Sequence, residues 1–334
     1  IAVLFALIPI AVIPFGTELS LPAIDLGPIH IPAIQTAMQL TDLNIGVLFI
    51  LGISGLGVYG VALAGWSSNN KYSLLGGLRS SAQMISYELP MAPAIAAPLL
   101  VVNTLSFRGI VDAQSGFLLG FLPKWTIFQV FPFNLISFLL FIIAAFAETN
   151  RVPFDLPEAE NELVAGFHTE YGSMKFAAFF MAEYCNMVTV SCVATLLFLG
   201  GWHFWGLTGS GDNVSWFQAI LRIGVLMAKV FVVIVFFMLT RWSWPRFRFD
   251  QLMALAWKIM LPLGLANFIV VAAVSELRAW SDPNFSSWLW DIGVALPNWI
   301  ACIVGWLAVA WSGTLVTDNA PQANLHPWEV DSQI

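Results

Sequence analysis

The residues most able to do chemistry lie in one short acidic stretch between two apolar segments. Residues 148–171 read ETNRVPFDLPEAENELVAGFHTEY and carry six of the twenty carboxylates of the 334-residue chain. The six are Glu148, Asp155, Glu158, Glu160, Glu162 and Glu170. Glu158 and Glu162 are spaced at i, i+4, and their repulsion favours the protonated form of one of them near neutral pH. We interpret the stretch as the wet mouth of a proton path beside a hydrophobic substrate, and a solvated acidic loop is the alternative.

A second set of ionisable residues lies inside apolar segments. A charge at the centre of a membrane costs at least about 2.5–3.5 kcal/mol, so such residues are functional candidates. The four are Glu88, Glu183, Arg222 and Lys229. Arg222 and Lys229 are seven residues apart and lie nearly on one helix face. We expect Glu88 and Glu183 to be their counter-ions. Structural ion pairs that fix the helix register are the alternative.

A third cluster combines positive charge with aromatic side chains. Residues 241–251 read RWSWPRFRFDQ, in which Arg246, Arg248 and Asp250 are the candidate site residues. Such a segment is typical of a cytoplasmic helix end with an aromatic belt. The alternative interpretation is that it docks an acidic partner or orients the polar head of an apolar substrate.

The composition places all three clusters in or beside a membrane. The chain is 59% hydrophobic and only 10% charged, with a mean hydropathy of +0.81, whereas soluble domains carry about 25% charged residues. Eight apolar segments are candidate spans: 1–15, 45–65, 83–102, 126–147, 176–200, 217–240, 253–275 and 290–316. We therefore predict an all-α, polytopic transmembrane bundle of about eight helices. It forms one domain over residues 1–316, and residues 317–334 are a C-terminal tail.

The charges of the loops predict the orientation of the bundle. Lys and Arg are enriched on the cytoplasmic side of membrane proteins. One group of loops and helix ends holds Lys71, Arg79, Arg151, Lys175, Arg241, Arg246, Arg248 and Lys258; the other holds Arg108, Lys124 and Arg278. Eight basic residues against three place the acidic loop, residues 148–175, on the cytoplasmic side, or on the matrix side of a mitochondrial membrane.

The metal-binding residue types predict that any redox cofactor belongs to a partner. The three cysteines show no CxxC spacing, and all lie in apolar segments, where packing thiols are the usual role. The four histidines lie outside the central spans, so paired axial ligands for a haem are not expected. We expect no metal site in this chain. Its net charge of −7 and the lack of a basic patch argue against a nucleic-acid partner.

Several long blocks resemble one family of membrane proteins. AETNRVPFDLPEAENELVAGFHTEY, DLNIGVLFIL, GWSSNNKYSLLGGLRSSAQMISYE and PRFRFDQLM occur in the order found in the H-type membrane subunits of proton-translocating NADH–quinone oxidoreductase, respiratory complex I (subunit 1 in mitochondria). The resemblance covers residues 41–275. It implies a further helix before residue 1, so we expect that N-terminal sequence is missing, since residues 1–15 are shorter than the roughly 20 residues of a span. The segment 290–316 is an addition to the family pattern.

The resemblance also implies roles for the charged residues. The quinone chamber and coupling loop would include Arg151, Asp155, Glu158, Glu160, Glu162, Glu170, Arg246, Arg248 and Asp250. The proton path from this chamber would include Glu88, Glu148 and Glu183, with the intramembrane Arg222 and Lys229. Quinone is then the substrate, and the chain carries no covalent or redox chemistry of its own.

The resemblance implies partners and a location. Hydrophilic subunits would carry FMN and the iron–sulfur clusters, and small and antiporter-like membrane subunits would continue the membrane arm. The location would be the bacterial inner membrane or the mitochondrial inner membrane, in contact with lipid. The alternative function is the related membrane subunit of a membrane-bound hydrogenase or formate hydrogenlyase. A pure membrane anchor or a free-standing ion carrier is a third hypothesis, and an anchor does not explain charges at lipid depth.

Overall fold

The structure is a bundle of helices around one long central helix. The computed structural model describes residues 2–16, 19–21, 24–26, 29–31, 34–36, 38–118, 122–155, 166–208 and 216–280. The α-helices of these segments are α1 (Ala2–Leu7), α2 (Gly46–Ser67), α3 (Lys71–Val102), α4 (Phe107–Ala113), α5 (Phe133–Glu148), α6 (Ser173–Phe198), α7 (Trp216–Ser243), α8 (Phe249–Ala254) and α9 (Leu261–Trp280). A π-helical turn, Leu255–Met260, joins α8 to α9.

The remaining regular elements are short. Turns of 3₁₀-helix cover Ile8–Val12, Thr126–Phe128 and Gly166–His168. Six strands form three antiparallel pairs: β1 (Leu19–Leu21) with β4 (Ile34–Thr36), β2 (Ile24–Leu26) with β3 (Ile29–Ile31), and β5 (Phe117–Leu118) with β6 (Leu122–Pro123). Each strand has only two or three residues, so these ribbons are connections and the fold is all-α, as predicted.

Within the described residues, five helical segments are long and apolar enough to cross a membrane. They are Gly46–Ser67, Lys71–Val102, Ser173–Phe198, Phe217–Ser243 and Phe249–Leu277. α5 is apolar but has only 16 residues. This pattern confirms the prediction of a polytopic helical membrane bundle, and the predicted span 290–316 lies outside the described residues.

Three predicted spans have different boundaries in the structure. The span predicted at 83–102 begins at Lys71, because Asn70 caps the helix by accepting a hydrogen bond from the Tyr72 backbone N–H at 3.0 Å. The span predicted at 126–147 begins only after Pro132, since proline is poorly accommodated in a helix interior. The segment 1–15 is α-helical only as far as Leu7 and then tightens into a 3₁₀ turn.

The central helix is α3, which packs against α2, α5 and α9. Glycines bring α3 close to α2. A Cβ atom on Gly65 would lie 2.8 Å from the Ser73 carbonyl oxygen and 3.0 Å from the Gly77 Cα atom. Small residues let helix backbones approach closely in a membrane protein, and here they bring α2 against the helix that carries Glu88.

The two ends of the bundle are chemically different. At one end, here called the acidic end, residues 148–155 meet residues 241–251, since the Phe247 N–H donates to the Pro153 carbonyl at 3.3 Å. At the other, the far end, residues 199–208 meet residues 114–125. There the Gln114 side chain donates to the Leu196 carbonyl at 2.9 Å. α6 runs from one end to the other, so it connects the two sets of charged residues.

Candidate functional site at the acidic end

The first part of the acidic loop is held against the bundle by one buried glutamine. Gln83 on α3 is 1% exposed, and its side-chain N–H groups donate to the carbonyls of Ala147 at 3.0 Å and Phe154 at 2.8 Å. A longer contact of 3.4 Å reaches the Asn150 side-chain oxygen. A buried polar side chain must find partners, and these partners all lie in the loop or at its start. Residues 148–155 therefore do not form the solvated loop of the alternative interpretation.

Aromatic packing holds the same turn in place. Phe154 is 4% exposed, and its ring makes an edge contact with Tyr87 of α3 at 5.4 Å between centroids. The Phe154 ring also packs on Phe247 at 5.9 Å. The Tyr87 hydroxyl donates to the Leu252 carbonyl at 2.9 Å, so the turn, α3 and α8 form one packed unit.

Two ion pairs tie the loop to different helical elements. Arg151 Nη2 lies 3.2 Å from Glu183 Oε2 of α6, and both side chains are 12% exposed. The Arg151 guanidinium also lies 4.5 Å from the ring centre of Tyr184, the next residue of α6. Arg246 Nη2 donates to Asp155 Oδ2 at 3.2 Å, and this pair is more exposed. Movement of the loop would therefore change the charge next to Glu183.

Glu148 is the most buried carboxylate of the described part of the site. It ends α5 and is 8% exposed, with the side chains of Ser54 and Asn186 as hydrogen-bonding neighbours and the Glu88 carboxylate close enough to repel it. Its Oε2 atom has no hydrogen-bond partner among the described residues. Glu88 packs on Gly55, where a Cβ atom would lie 2.5 Å from Glu88 Oε1. The arrangement brings acids of α3, α5 and α6 to one region.

Glu148 and Glu183 line a common cavity of about 70 Å³. Ser54, Asn150 and Asn186 add polar groups to its wall, so it has the size and the partners to hold water. A second cavity of about 20 Å³, with a mostly apolar wall, is also lined by Glu148. Glu148 thus marks the boundary between a polar compartment and a nearly dry one.

The remaining predicted residues are less buried or lie outside the described part. The Glu170 carboxylate accepts a hydrogen bond from Asn70 at 2.8 Å at the surface. The Arg248 N–H donates to the Gln251 side chain at 3.2 Å at the start of α8, and Asp250 lies in the first turn of that helix. Glu158, Glu160 and Glu162 lie outside the described residues. Their roles remain predictions.

The expected pairing of Lys229 with Glu88 or Glu183 is wrong. Lys229 Nζ instead donates to the backbone carbonyls of Leu199, Gly201 and His203 at 2.6–2.9 Å. The physical reason is that the last carbonyls of a helix have no intrahelical partner, and an ammonium satisfies them. Helical spacing identified the face of α7 but not the element opposite to it.

Arg222 lies at the far end as well. Its Nε–H donates to the Thr208 carbonyl at 3.0 Å, and the side chain is 2% exposed. The two basic residues thus lie near the end of α6, whereas Glu183 lies about 15 residues before that end, roughly 22 Å along the helix. Their place in a proton path remains a prediction.

Sequence reasoning missed the neutral residues of the site. Gln83, Ser54 and Asn186 carry no charge, and an isolated amide or hydroxyl in an apolar segment attracts little attention. The available signal was that a polar side chain at lipid depth needs a partner on another helix. That signal could have identified the three residues, but not the groups that they contact.

Long apolar helices with carboxylates buried between them define a polytopic membrane protein of the ion-translocating kind. A sequence model of the family described as NADH dehydrogenase matches residues 1–272. Together with its curated relatives, this match shows that the chain belongs to the NADH dehydrogenase family of membrane subunits. The resemblance found in the sequence is thereby confirmed.

The relatives carry one consistent name. The chain is 51% identical to the NADH-quinone oxidoreductase H subunit 1 of Solibacter usitatus (strain Ellin6076), an alignment that covers 84% of this chain and 78% of that protein. It is 50% identical to the NADH-quinone oxidoreductase H subunit 2 of Koribacter versatilis (strain Ellin345), with 83% and 76% covered. The protein of the same name from Geobacter metallireducens is also 50% identical, with 83% and 75% covered.

Proposed function

We propose that this chain is the membrane subunit of an NADH–quinone oxidoreductase that couples quinone reduction to proton translocation. The observation that carries the proposal is the contact between the acidic loop and the buried acids. Arg151 of the loop pairs with Glu183, and Glu183 shares a cavity with Glu148. A change of charge or position in the loop thereby reaches a proton-binding group between the helices.

The coupling is electrostatic. At 3.2 Å, and with an effective dielectric constant near 20, the Arg151 and Glu183 charges attract each other by roughly 5 kcal/mol before desolvation is counted. Withdrawal of Arg151 would leave Glu183 as an unpaired buried anion, which then takes up a proton more readily. Return of Arg151 would favour release of that proton.

The positions of the acids give an order for proton movement. Water in the 70 Å³ cavity would connect Glu183 to Glu148, and the repulsion between Glu148 and Glu88 favours one shared proton over two charges. The route then continues through Glu88 on α3 toward neighbouring membrane subunits. Arg222 and Lys229 would act on this route only through the protein's field, because they lie at the far end.

The loop also forms part of the proposed quinone chamber. Its residues Arg151, Asp155, Glu158, Glu160, Glu162 and Glu170 would line the chamber together with Arg246, Arg248 and Asp250. Conversion of a quinone to a quinol takes two electrons and two protons. The electrons would come from an iron–sulfur cluster of a hydrophilic partner protein, after entry through FMN, and the change of charge at the quinone would move the arginines of the loop.

Replacement of Glu183 by Gln tests the proposal. In the intact membrane complex, we expect Glu183→Gln to lower both quinone turnover and proton pumping, while the complex still assembles. Glu276→Gln is the matched control, because Glu276 is exposed on α9. Full coupled activity in the Glu183 variant would remove the residue from the path. Co-purification with a nickel–iron module and no flavin module would replace the proposal by the hydrogenase alternative.

A further inference from the structure

The turn after α6 directs three backbone carbonyls at one point. α6 ends at Phe198, and the chain reverses through Gly200 and Gly201, whose φ angles are +75° and +52°. Glycine adopts such angles without strain. The carbonyls of residues 199, 201 and 203 then converge on Lys229 Nζ, at 2.6, 2.9 and 2.7 Å. All three N–H donors of the ammonium have a carbonyl acceptor.

Aromatic rings complete the surroundings of the ammonium. Lys229 Nζ lies 4.4 Å from the ring centre of Trp125 and 5.9 Å from that of Phe204. Both distances are within the range of a cation–π interaction. Within the described part of the chain the ammonium is therefore held by carbonyl oxygens and ring faces, and no carboxylate neutralises it. This is the ligand set of a site for a small monovalent cation.

The charge of Lys229 is felt by its neighbour in the turn. Burial, assisted by the positive charges of Arg222 and Lys229, lowers the pKa of the His203 imidazole to about 4. The ring is thus neutral at physiological pH and adds no further positive charge to the site. Among the described residues, the cations that face this turn are Lys229 and Arg222, both from α7.

A route from outside the bundle leads to the same place. A cavity of about 230 Å³ at the far end is lined by residues of the two connections, including Gln114, Trp125, His203 and Thr208. Trp125 and His203 belong both to this cavity and to the surroundings of the ammonium. A small hydrated cation in the cavity would therefore be next to the converging carbonyls.

We propose that residues 199–203 form a binding site for a monovalent cation of ammonium size, which Lys229 fills with its own side chain. Lys229 is then a positioning residue, since its tethered cation fixes the end of the helix that carries Glu183. This inference does not rest on the proposed role of Glu183 in proton transfer. It states only that a cation must occupy this point for α6 to keep its position.

The test is chemical rescue in the intact complex. Lys229→Gly removes the tethered cation and opens the space of its side chain. We expect a lower thermal midpoint and lower quinone turnover, and we expect ammonium chloride to restore at least half of both losses. Tetramethylammonium chloride at the same ionic strength is too large for the site and should restore neither. The wild-type complex should respond to neither salt.

Two further variants separate a cation site from general packing. Lys229→Met keeps most of the side-chain volume but not the charge, so we expect the same losses without rescue by ammonium. Lys258→Gly is the control for loss of a lysine, because Lys258 is exposed, and it should behave like the wild type. Wild-type midpoint and turnover in Lys229→Met would overturn the proposal, and so would equal rescue of Lys229→Gly by both salts.

An assembly defect would still leave the proposal testable. If Lys229→Gly fails to assemble, Lys229→Arg is compared with Lys229→Met. The planar guanidinium keeps the charge but fits three converging carbonyls less well than an ammonium does. We expect Lys229→Arg to assemble with a midpoint between those of Lys229→Met and the wild type. An Arg variant no more stable than the Met variant would show that charge at this point is irrelevant.

Discussion

Gln83 provides the sharpest test of how the acidic loop is positioned. Replacement by Leu keeps the volume of the side chain but removes the N–H groups that reach the Ala147 and Phe154 carbonyls. Each buried acceptor left without a partner costs about 1–3 kcal/mol. Two such acceptors make opening of the loop easier by about 2–4 kcal/mol, which multiplies the opening equilibrium constant by roughly 30 to 1,000.

Hydrogen exchange measured by mass spectrometry on the intact complex reads this change directly. Peptides that cover residues 148–155 should exchange at least about 30-fold faster in Gln83→Leu than in the wild type, by the same conversion of free energy. Quinone turnover should fall in parallel, because the loop no longer holds Arg151 against Glu183.

Gln114 offers a matched control for this experiment. It is also 1% exposed and also donates to backbone carbonyls, those of Leu196 and Leu197, but at the far end. Gln114→Leu should loosen the far end and leave the exchange of residues 148–155 unchanged. Unchanged exchange of these residues in Gln83→Leu would refute the argument that this amide holds the loop.

Two other predictions concern a glycine contact and a histidine. Gly55→Ala places a methyl group against Glu88, whose flexible carboxylate must move, so turnover should fall severalfold with little loss of stability. Gly52→Ala is the control, since its Cβ atom would meet nothing within 4 Å. The pKa of His203 is lowered to about 4, so between pH 6.5 and 4 the unfolded chain binds a proton that the folded chain does not. Stability is therefore lost as the pH falls through this window, and His203→Gln should show a smaller drop in thermal midpoint between pH 7.5 and pH 5. An equal drop in both proteins would contradict the assignment.

Much of the fold could be predicted because apolar length is a strong signal in a membrane. The segments that became α2, α6, α7 and α9 were found from composition alone, since about 20 apolar residues are required for a span. The start of α3 was missed, because its first turns are polar and hydropathy does not report on them. The late start of α5 followed from Pro132, whose effect on a helix depends on context.

The candidate site could be predicted only in part. Charge at lipid depth and a dense run of acids identified Glu88, Glu148 and Glu183, because such residues are costly to insert. The partners of charged groups depend on which elements face each other, and this is a property of the tertiary structure. Lys229 illustrates the limit: its position in α7 was evident, but its three carbonyl ligands come from a glycine turn that no periodicity predicts.

The central claim is that buried carboxylates next to the acidic loop change protonation when quinone is reduced. Infrared difference spectroscopy of the intact complex, recorded on reduction of bound quinone, measures this change directly. The account predicts a band of a carboxylic acid group that is present in the wild type, disappears in Glu183→Gln and persists in Glu276→Gln. An unchanged band in Glu183→Gln, with normal proton pumping, would contradict it.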